Sequence, residues 1–152
     1  MPEIIEVILT LIIGFLAVYI ACQQHRTAKD KLRLDLYEKR FSVYNGFKQT
    51  IDEIEEKSGI SHGGFVNFFS KTNESDFLFD SDIIDYKNIF KKNLIRLQQL
   101  SGKLSNSQLP VGEKRINLSN ENEQLSNWFL DQPEEIKNRF NKYLKFKKII
   151  QF

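Results

Sequence analysis

Histidine and cysteine are the side chains best able to act as bases, nucleophiles or soft metal ligands, and this chain has only three of them. His25 follows a long apolar run, His62 lies in a Ser-His-Gly-Gly loop, and Cys22 ends the apolar run. Neither histidine is followed by a second ligand three or four residues later, and Cys22, which precedes His25 by three residues, belongs to the apolar run. We therefore expect no metal site, no bound cofactor and no intrachain disulfide.

Four aspartates form the densest group of potential acid–base or Mg²⁺-binding side chains. Asp76, Asp80, Asp82 and Asp85 follow one another closely, and Asp82 and Asp85 are spaced to share a helix face. No glycine-rich phosphate loop accompanies them, so we favour helix capping and complementation of the helix dipole. We expect no catalytic residue and no enzyme; a hydrolase using His62 and the Asp76–Asp85 cluster is the alternative.

The elements that carry these residues are predicted to be helices. The 152 residues include only seven glycines and three prolines, which favours long helices over many-turned sheets. Thirteen phenylalanines and five tyrosines predict a core rich in aromatic rings. The expected fold is all-α: an N-terminal transmembrane helix, continuous with a long amphipathic helix of a four-to-five-helix cytoplasmic bundle.

The run from Ile4 to Cys22 is predicted to cross a membrane. Its nineteen residues span about 28 Å as a helix, close to the hydrocarbon thickness of about 30 Å. A cleaved signal peptide would need basic residues before a shorter apolar core, whereas Glu3 precedes this one. The run is apolar on all sides, and its predicted transmembrane residues include Ile4, Ile8, Ile12, Phe15, Tyr19 and Cys22. We divide the chain into an anchor, residues 1–24, and a cytoplasmic helical domain, residues 25–152.

Charge predicts the orientation of this anchor. All 22 lysines and arginines lie at or after Arg26, and positive flanks stay on the cytoplasmic side. We therefore expect the N-terminus outside the cell and the remaining chain in the cytoplasm.

Aromatic and aliphatic residues recur at spacings of three and four between residues 37 and 54. This set forms a possible interaction seam: Tyr37, Phe41, Tyr44, Phe47, Ile51 and Ile54. Such a seam could join two copies of the chain, or it could pack on the helix predicted from Ile83 to Leu104. The sequence leaves both alternatives open.

The C-terminal segment is basic and amphipathic. Together with the residues after the anchor it offers possible lipid-surface contacts: Arg26, Lys29, Arg139, Lys142, Lys145 and Lys148. The segment could instead pack in the bundle against the acidic end of the first cytoplasmic helix. The net charge after Gln23 is only +4, from 22 basic and 18 acidic residues, which argues against nucleic-acid binding.

Local signals predict where helices begin and end. Ser58-Gly59 predicts a helix stop with a left-handed glycine, and Asp80 or Ser81 predicts an N-cap. Ser119 predicts another N-cap, and Pro133 predicts the first residue of the last helix.

Three blocks carry a resemblance: AKDKLRLDLYEKRFSVYNGF, DFLFDSDIIDYKNIF and QLSNWFLDQPEEIKNRFNKYLKF. Their order and spacing resemble a group of small bacterial single-pass inner-membrane proteins with an N-terminal transmembrane helix and no assigned function. The resemblance covers nearly all of the chain from Gln23. It implies an architecture and a location, and it carries no catalytic residues.

These observations favour a membrane-anchored, non-enzymatic helical module that binds a second copy of itself or a protein partner. The lipid bilayer is the other expected partner, and no small-molecule substrate is evident. A membrane-disrupting effector, for example in phage defence, is the alternative function of a different class.

Overall fold

The computed structural model describes residues 2–106 and 112–145. Within these ranges the chain is helical and contains no strand, which confirms the all-α prediction. The helices are α1 (Pro2–Lys57), α2 (His62–Thr72), α3 (Ser75–Leu78), α4 (Ser81–Leu104), α5 (Glu113–Leu130) and α6 (Pro133–Leu144).

The chain divides into two compact units, Met1–Leu36 and Tyr37–Phe152. The boundary predicted at residue 24 marks the end of the apolar run. The structural boundary lies later because residues 25–36 of α1 remain exposed, and Val43 is the first buried residue of that helix.

The first unit is a single helical stretch, and two polar side chains of its apolar part make hydrogen bonds within the helix. Thr10 Oγ1 donates a hydrogen bond to the Glu6 carbonyl at 2.8 Å. Gln23 Nε2 donates to Tyr19 Oη at 3.1 Å, where the apolar run ends. Polar side chains bonded within their own helix are the kind that an apolar environment tolerates.

The second unit is built around Phe47, which has no exposed surface. The centroid of its ring lies 4.8 Å from that of Phe90, 5.2 Å from that of Phe68 and 5.5 Å from that of Phe140. Phe129 of α5 lies 4.8 Å from Phe90. Edge-to-face and offset contacts of this kind add to the stabilisation from burial. One aromatic cluster therefore ties α1, α2, α4, α5 and α6 together.

Two glycines allow α2 to approach α1 closely. A Cβ at Gly46 would lie 3.0 Å from Lys71 Cβ, and a Cβ at Gly64 would overlap the Glu53 carboxylate. Since Gly46 meets the end of α2 and Glu53 meets its beginning, the two helices run antiparallel.

The local signals for helix ends are met in part. Pro133 begins α6 as predicted, and Asp80 is the N-cap residue of α4. The left-handed residue after α1 is Ser58, with φ 52°, so the prediction for Gly59 is wrong. Gly59 is needed for space instead, because a Cβ there would lie 3.2 Å from Ser101 Oγ. Ser119 lies inside α5, so its predicted N-cap is also wrong.

Candidate functional site

Two of the four predicted aspartates, Asp80 and Asp82, lie where α4 begins, against the last turn of α6. The Asp80 side chain makes no capping hydrogen bond. The Tyr143 hydroxyl lies 2.7 Å from Asp82 Oδ1 and 2.9 Å from Asp80 Oδ2, and Lys142 Nζ lies 3.1 Å from Asp82 Oδ2. These four residues, the Tyr143 cluster, join the start of α4 to the end of α6.

Contacts within the Tyr143 cluster shift the pKa values of Asp82 and Tyr143 away from neutral pH. Partial burial alone raises the pKa of the Asp82 carboxyl, but hydrogen bonds from Tyr143 and Lys142 outweigh it and lower the pKa. Burial, followed by the hydrogen bond to Asp82, raises the pKa of Tyr143. A general acid or base works best with a pKa near the working pH, and these two groups are shifted the other way. The role of the Tyr143 cluster is therefore structural, and we call this contact between the start of α4 and the end of α6 the clasp.

Two arginines complete the clasp. Arg40 Nε donates to the Leu78 carbonyl at 3.0 Å, and its guanidinium carbon lies 5.3 Å from the centre of the Tyr143 ring. Arg139 Nη1 donates to the Asp82 carbonyl at 3.2 Å. The cation–π contact and the hydrogen bonds link α1, α4 and α6 at this end of the second unit.

The other two aspartates of the predicted cluster are separate from this clasp. Asp76 forms an ion pair with Lys87, whose side chain is only 11% exposed. Asp85 is exposed. Across the part of the chain that the structure describes, no three His, Cys, Asp or Glu side chains are grouped to hold a metal ion.

His62 lies far from the aspartates. It is exposed at the start of α2, beside Ser61, whose backbone N–H donates to Glu53 Oε1 at 3.1 Å. The Tyr143 cluster instead adjoins Arg40. Glu53 and Arg40 are separated by thirteen residues of α1, about 20 Å along a helix. The structure therefore does not bring together the histidine and the carboxylates that a hydrolase would combine.

The predicted interaction seam is divided between the core and the surface. Three members are buried in the second unit: Phe47, Ile51 and Ile54. Tyr44 is partly buried and meets Phe140 edge to face at 5.6 Å. Phe41 is 40% exposed, and Tyr37 stacks on it at 5.9 Å. Most of the seam is therefore occupied by contacts within the chain, including the contact of Phe47 with Phe90 on α4.

The predicted lipid-surface residues also differ in their surroundings. Arg139 pairs with Glu135 at 2.6 Å, and Lys142 belongs to the Tyr143 cluster. Exposed members are Arg26, Lys29, Lys142 and Lys145. Lys148 lies outside the described residues.

A groove between α4 and α5 has no counterpart among the predicted sites. It has a volume of about 680 Å³ and these lining residues: Lys92, Asn93, Ile95, Arg96, Gln99, Glu121, Gln124, Leu125 and Trp128. Two parallel hydrogen bonds, at 2.6 and 2.7 Å, join Arg96 to Glu121 across it. They raise the pKa of Arg96 and lower that of Glu121. The two residues are far apart in sequence, so no local pattern could have revealed the groove.

The N-terminal run is long and apolar enough to cross a membrane, and none of its 18 consecutive most apolar residues is buried. All six predicted membrane-facing residues, from Ile4 to Cys22, are exposed. Phe15 has 76% of its surface exposed, an arrangement that water disfavours and lipid does not. No protein-family model, no curated protein and no solved structure matches this chain.

Proposed function

We propose that this chain is a single-pass inner-membrane protein of a bacterium whose cytoplasmic domain is a non-enzymatic helical interaction module. The observation that carries the proposal is the exposure of every described side chain from Glu3 to Cys22, although twelve of these residues are Ile, Leu, Val or Phe. An apolar helix that its own chain leaves uncovered requires another apolar environment.

The second unit supports the anchor interpretation because its own apolar surface is already covered. Its core residues Phe47, Phe90 and Phe140 are fully buried without any contribution from the apolar run. A soluble fold has no use for a further apolar run of nineteen residues, whereas a bilayer accepts a run of this length.

The residues at the cytoplasmic border support the orientation. Tyr19 and Gln23 are hydrogen-bonded where the hydrocarbon would end, and an aromatic ring with a polar tip suits the headgroup region. Arg26 and Lys29 follow within two turns and are exposed, as residues facing anionic headgroups would be.

Several observations support a non-enzymatic role. The Asp80 and Asp82 carboxylates are engaged by Tyr143 and Lys142, and His62 is distant from them. The features that remain available for function are surfaces, namely the α4–α5 groove and Phe77, which is 90% exposed. We infer that the second unit forms a helical bundle, held inside the cell by the anchor, that presents such surfaces to partners.

Alkaline carbonate extraction of membranes, combined with reporter fusions to the C-terminus, tests the proposal. We expect the intact chain to remain in the membrane pellet, with a C-terminal fluorescent protein active and a C-terminal alkaline phosphatase inactive. Release of the intact chain into the supernatant would refute the anchor. Active phosphatase would refute the orientation.

A further inference from the structure

The face of α1 that a second copy would cover can be identified from residues beyond the reach of the bilayer. Within the apolar run all faces are similar, so the run alone selects none. Leu32 is 70% exposed and Leu36 is 37% exposed, and the two share a face, whereas Leu34, which is 46% exposed, lies alone on the opposite face. Leu32 lies ten residues after Cys22, about 15 Å along the helix, whereas the headgroup layer is only about 5–8 Å thick. Lipid around a helix continuing straight out of the bilayer would not cover these leucines.

Leu32 and Leu36 belong to a heptad pattern that continues back through the whole first unit. Spacings alternate between three and four along this stripe: Ile4, Ile8, Leu11, Phe15, Val18, Cys22, His25, Lys29, Leu32 and Leu36. Every member is exposed. This alternation is the repeat by which two helices pack knobs into holes with a left-handed supercoil. The pattern therefore fits another helix with the same repeat.

Small residues flank the stripe at intervals of seven. Gly14, Ala21 and Ala28 each directly precede one of its members. A Cβ at Gly14 would meet nothing within 4 Å, so no contact in the described chain explains a glycine in mid-helix. Small residues beside a seam let two backbones approach closely within a membrane.

The charged residues on the other flank of the stripe do not repel those of a second copy. Arg26 and Arg33 occupy positions that would lie opposite Ala21 and Ala28 of a parallel second copy, so no like charges face each other there. Lys29 lies within the stripe itself. A single lysine at such a position fixes the register and the number of strands at some expense of stability.

We propose that two copies of this chain pair in parallel along the stripe from Ile4 to Leu36, through the membrane and for about three turns beyond it. The partner is a second copy because copies inserted with one orientation present parallel, in-register heptads. The pairing rests on the proposed membrane anchoring, and it locates self-association before Tyr37 rather than on the seam between Tyr37 and Ile54.

The native cysteine provides a direct test in membranes containing the full-length chain. Cys22 lies on the stripe, so oxidation by copper phenanthroline and oxygen should link two copies through one disulfide, which requires Cα atoms about 4.4–6.8 Å apart. The matched control is Cys22→Ser/Gln24→Cys, which moves the single thiol to an outward face nearby. We expect a reducible dimer from the native chain and little from the control. Equal yields from both would overturn the pairing.

A second pair of variants tests whether the stripe itself, rather than the general hydrophobicity of α1, brings two copies together. Leu32→Glu places a carboxylate on the stripe, whereas Leu34→Glu places one on the opposite face, which is 46% exposed. We expect Leu32→Glu to lower the Cys22 dimer yield by about tenfold or more, because both copies lose a buried leucine. Leu34→Glu should leave it unchanged. Equal effects of the two substitutions would contradict pairing along the stripe, as would no effect of either.

Carbonate extraction of the same membranes distinguishes failure of the pairing from failure of the anchor. A chain that stays in the pellet without forming a Cys22 dimer refutes only the pairing. A chain released into the supernatant refutes the anchoring on which the pairing rests.

Discussion

Replacing Phe47 with alanine should destabilise the second unit more than removing a phenylalanine from its surface. Phe47 is fully buried, and its ring contacts those of Phe68, Tyr86, Phe90 and Phe140. These neighbours also hold one another, as in the 5.1 Å stacking of Phe68 on Phe90, so the cavity cannot collapse easily. We therefore expect a loss of about 4 kcal/mol, within the range of about 3–5 kcal/mol for Phe→Ala in cores. The thermal midpoint should fall by roughly 10–20 °C.

The matched control is Phe77→Ala, because Phe77 is 90% exposed. The same chemical change there should alter the free energy of unfolding by less than about 0.5 kcal/mol. If Phe47→Ala does not fold, Phe47→Leu should still show a loss of about 1–2 kcal/mol.

Trp128 is the natural probe for these measurements. It is the single tryptophan of the chain, and its ring lies 4.9 Å from that of Phe129, next to the aromatic cluster. Urea titrations of the full-length chain in a mild detergent, followed by tryptophan fluorescence, therefore report on the second unit. A loss below about 1 kcal/mol for Phe47→Ala, or equal losses for Phe47→Ala and Phe77→Ala, would refute this description of the core.

Three further outcomes can be checked by the same fluorescence titrations. Asp82 has a lowered pKa, so its ionised form stabilises the fold above the usual carboxyl pKa of about 4 and loses this effect as the pH falls further. Asp82→Asn should therefore be less stable than the native chain at pH 7, and the difference should shrink below pH 4; a constant difference would contradict the role of the charge. Ser126 Oγ is buried and has no hydrogen-bond partner among the described residues. Ser126→Ala should therefore leave the free energy of unfolding unchanged or raise it by up to about 1 kcal/mol. A clear decrease would show that the hydroxyl does have a partner. Gly46→Leu should lower the free energy of unfolding by about 1–3 kcal/mol, because even a Cβ at this position would lie only 3.0 Å from Lys71 Cβ. An unchanged free energy of unfolding would contradict the close approach of α2 to α1.

The sequence predicts the helices that carry a strong apolar stripe or a clear boundary residue. α4 buries Ile83, Phe90 and Leu97 at helical spacing, and Asp80 is its N-cap residue, one of the two residues that N-cap preference predicts. α6 begins at Pro133 because proline fits the first turn of a helix and cannot extend a preceding one. Periodicity succeeds here because each helix buries one continuous face.

The first half of α5 lacks this signal, and its beginning was therefore misplaced. Only Ser126 and Phe129 of this helix are buried, both near its end, while Ile116 remains 59% exposed. A segment that buries little has little apolar periodicity, so the N-cap preference of Ser119 was the strongest local feature. Helix formation from Glu113 onward depends instead on contacts such as Arg96 with Glu121, which sequence spacing does not disclose.

The Tyr143 cluster could likewise be predicted from the sequence only in part. Asp80 and Asp82 were correctly placed at the start of a helix, where capping was the favoured role. Their actual partner is Tyr143, about sixty residues later in the chain. Tyr143 lies in a different helix and shares no local spacing with the aspartates, so the sequence does not disclose this contact. Its hydroxyl lies at the edge of the core because Phe79 packs edge to face on its ring at 5.0 Å.

The two parts of α1 show why an apolar pattern needs its surroundings before it can be assigned a role. Phe47 and Leu32 lie on the same helix and are both strongly apolar, yet one is fully buried and the other is 70% exposed. The second unit supplies the cover for Phe47. A bilayer can cover residues up to Cys22, and its thickness limits it to about that point. Leu32 and Leu36 are exposed and follow that point, and their heptad spacing with Cys22 fits the identical helix that we propose as their partner.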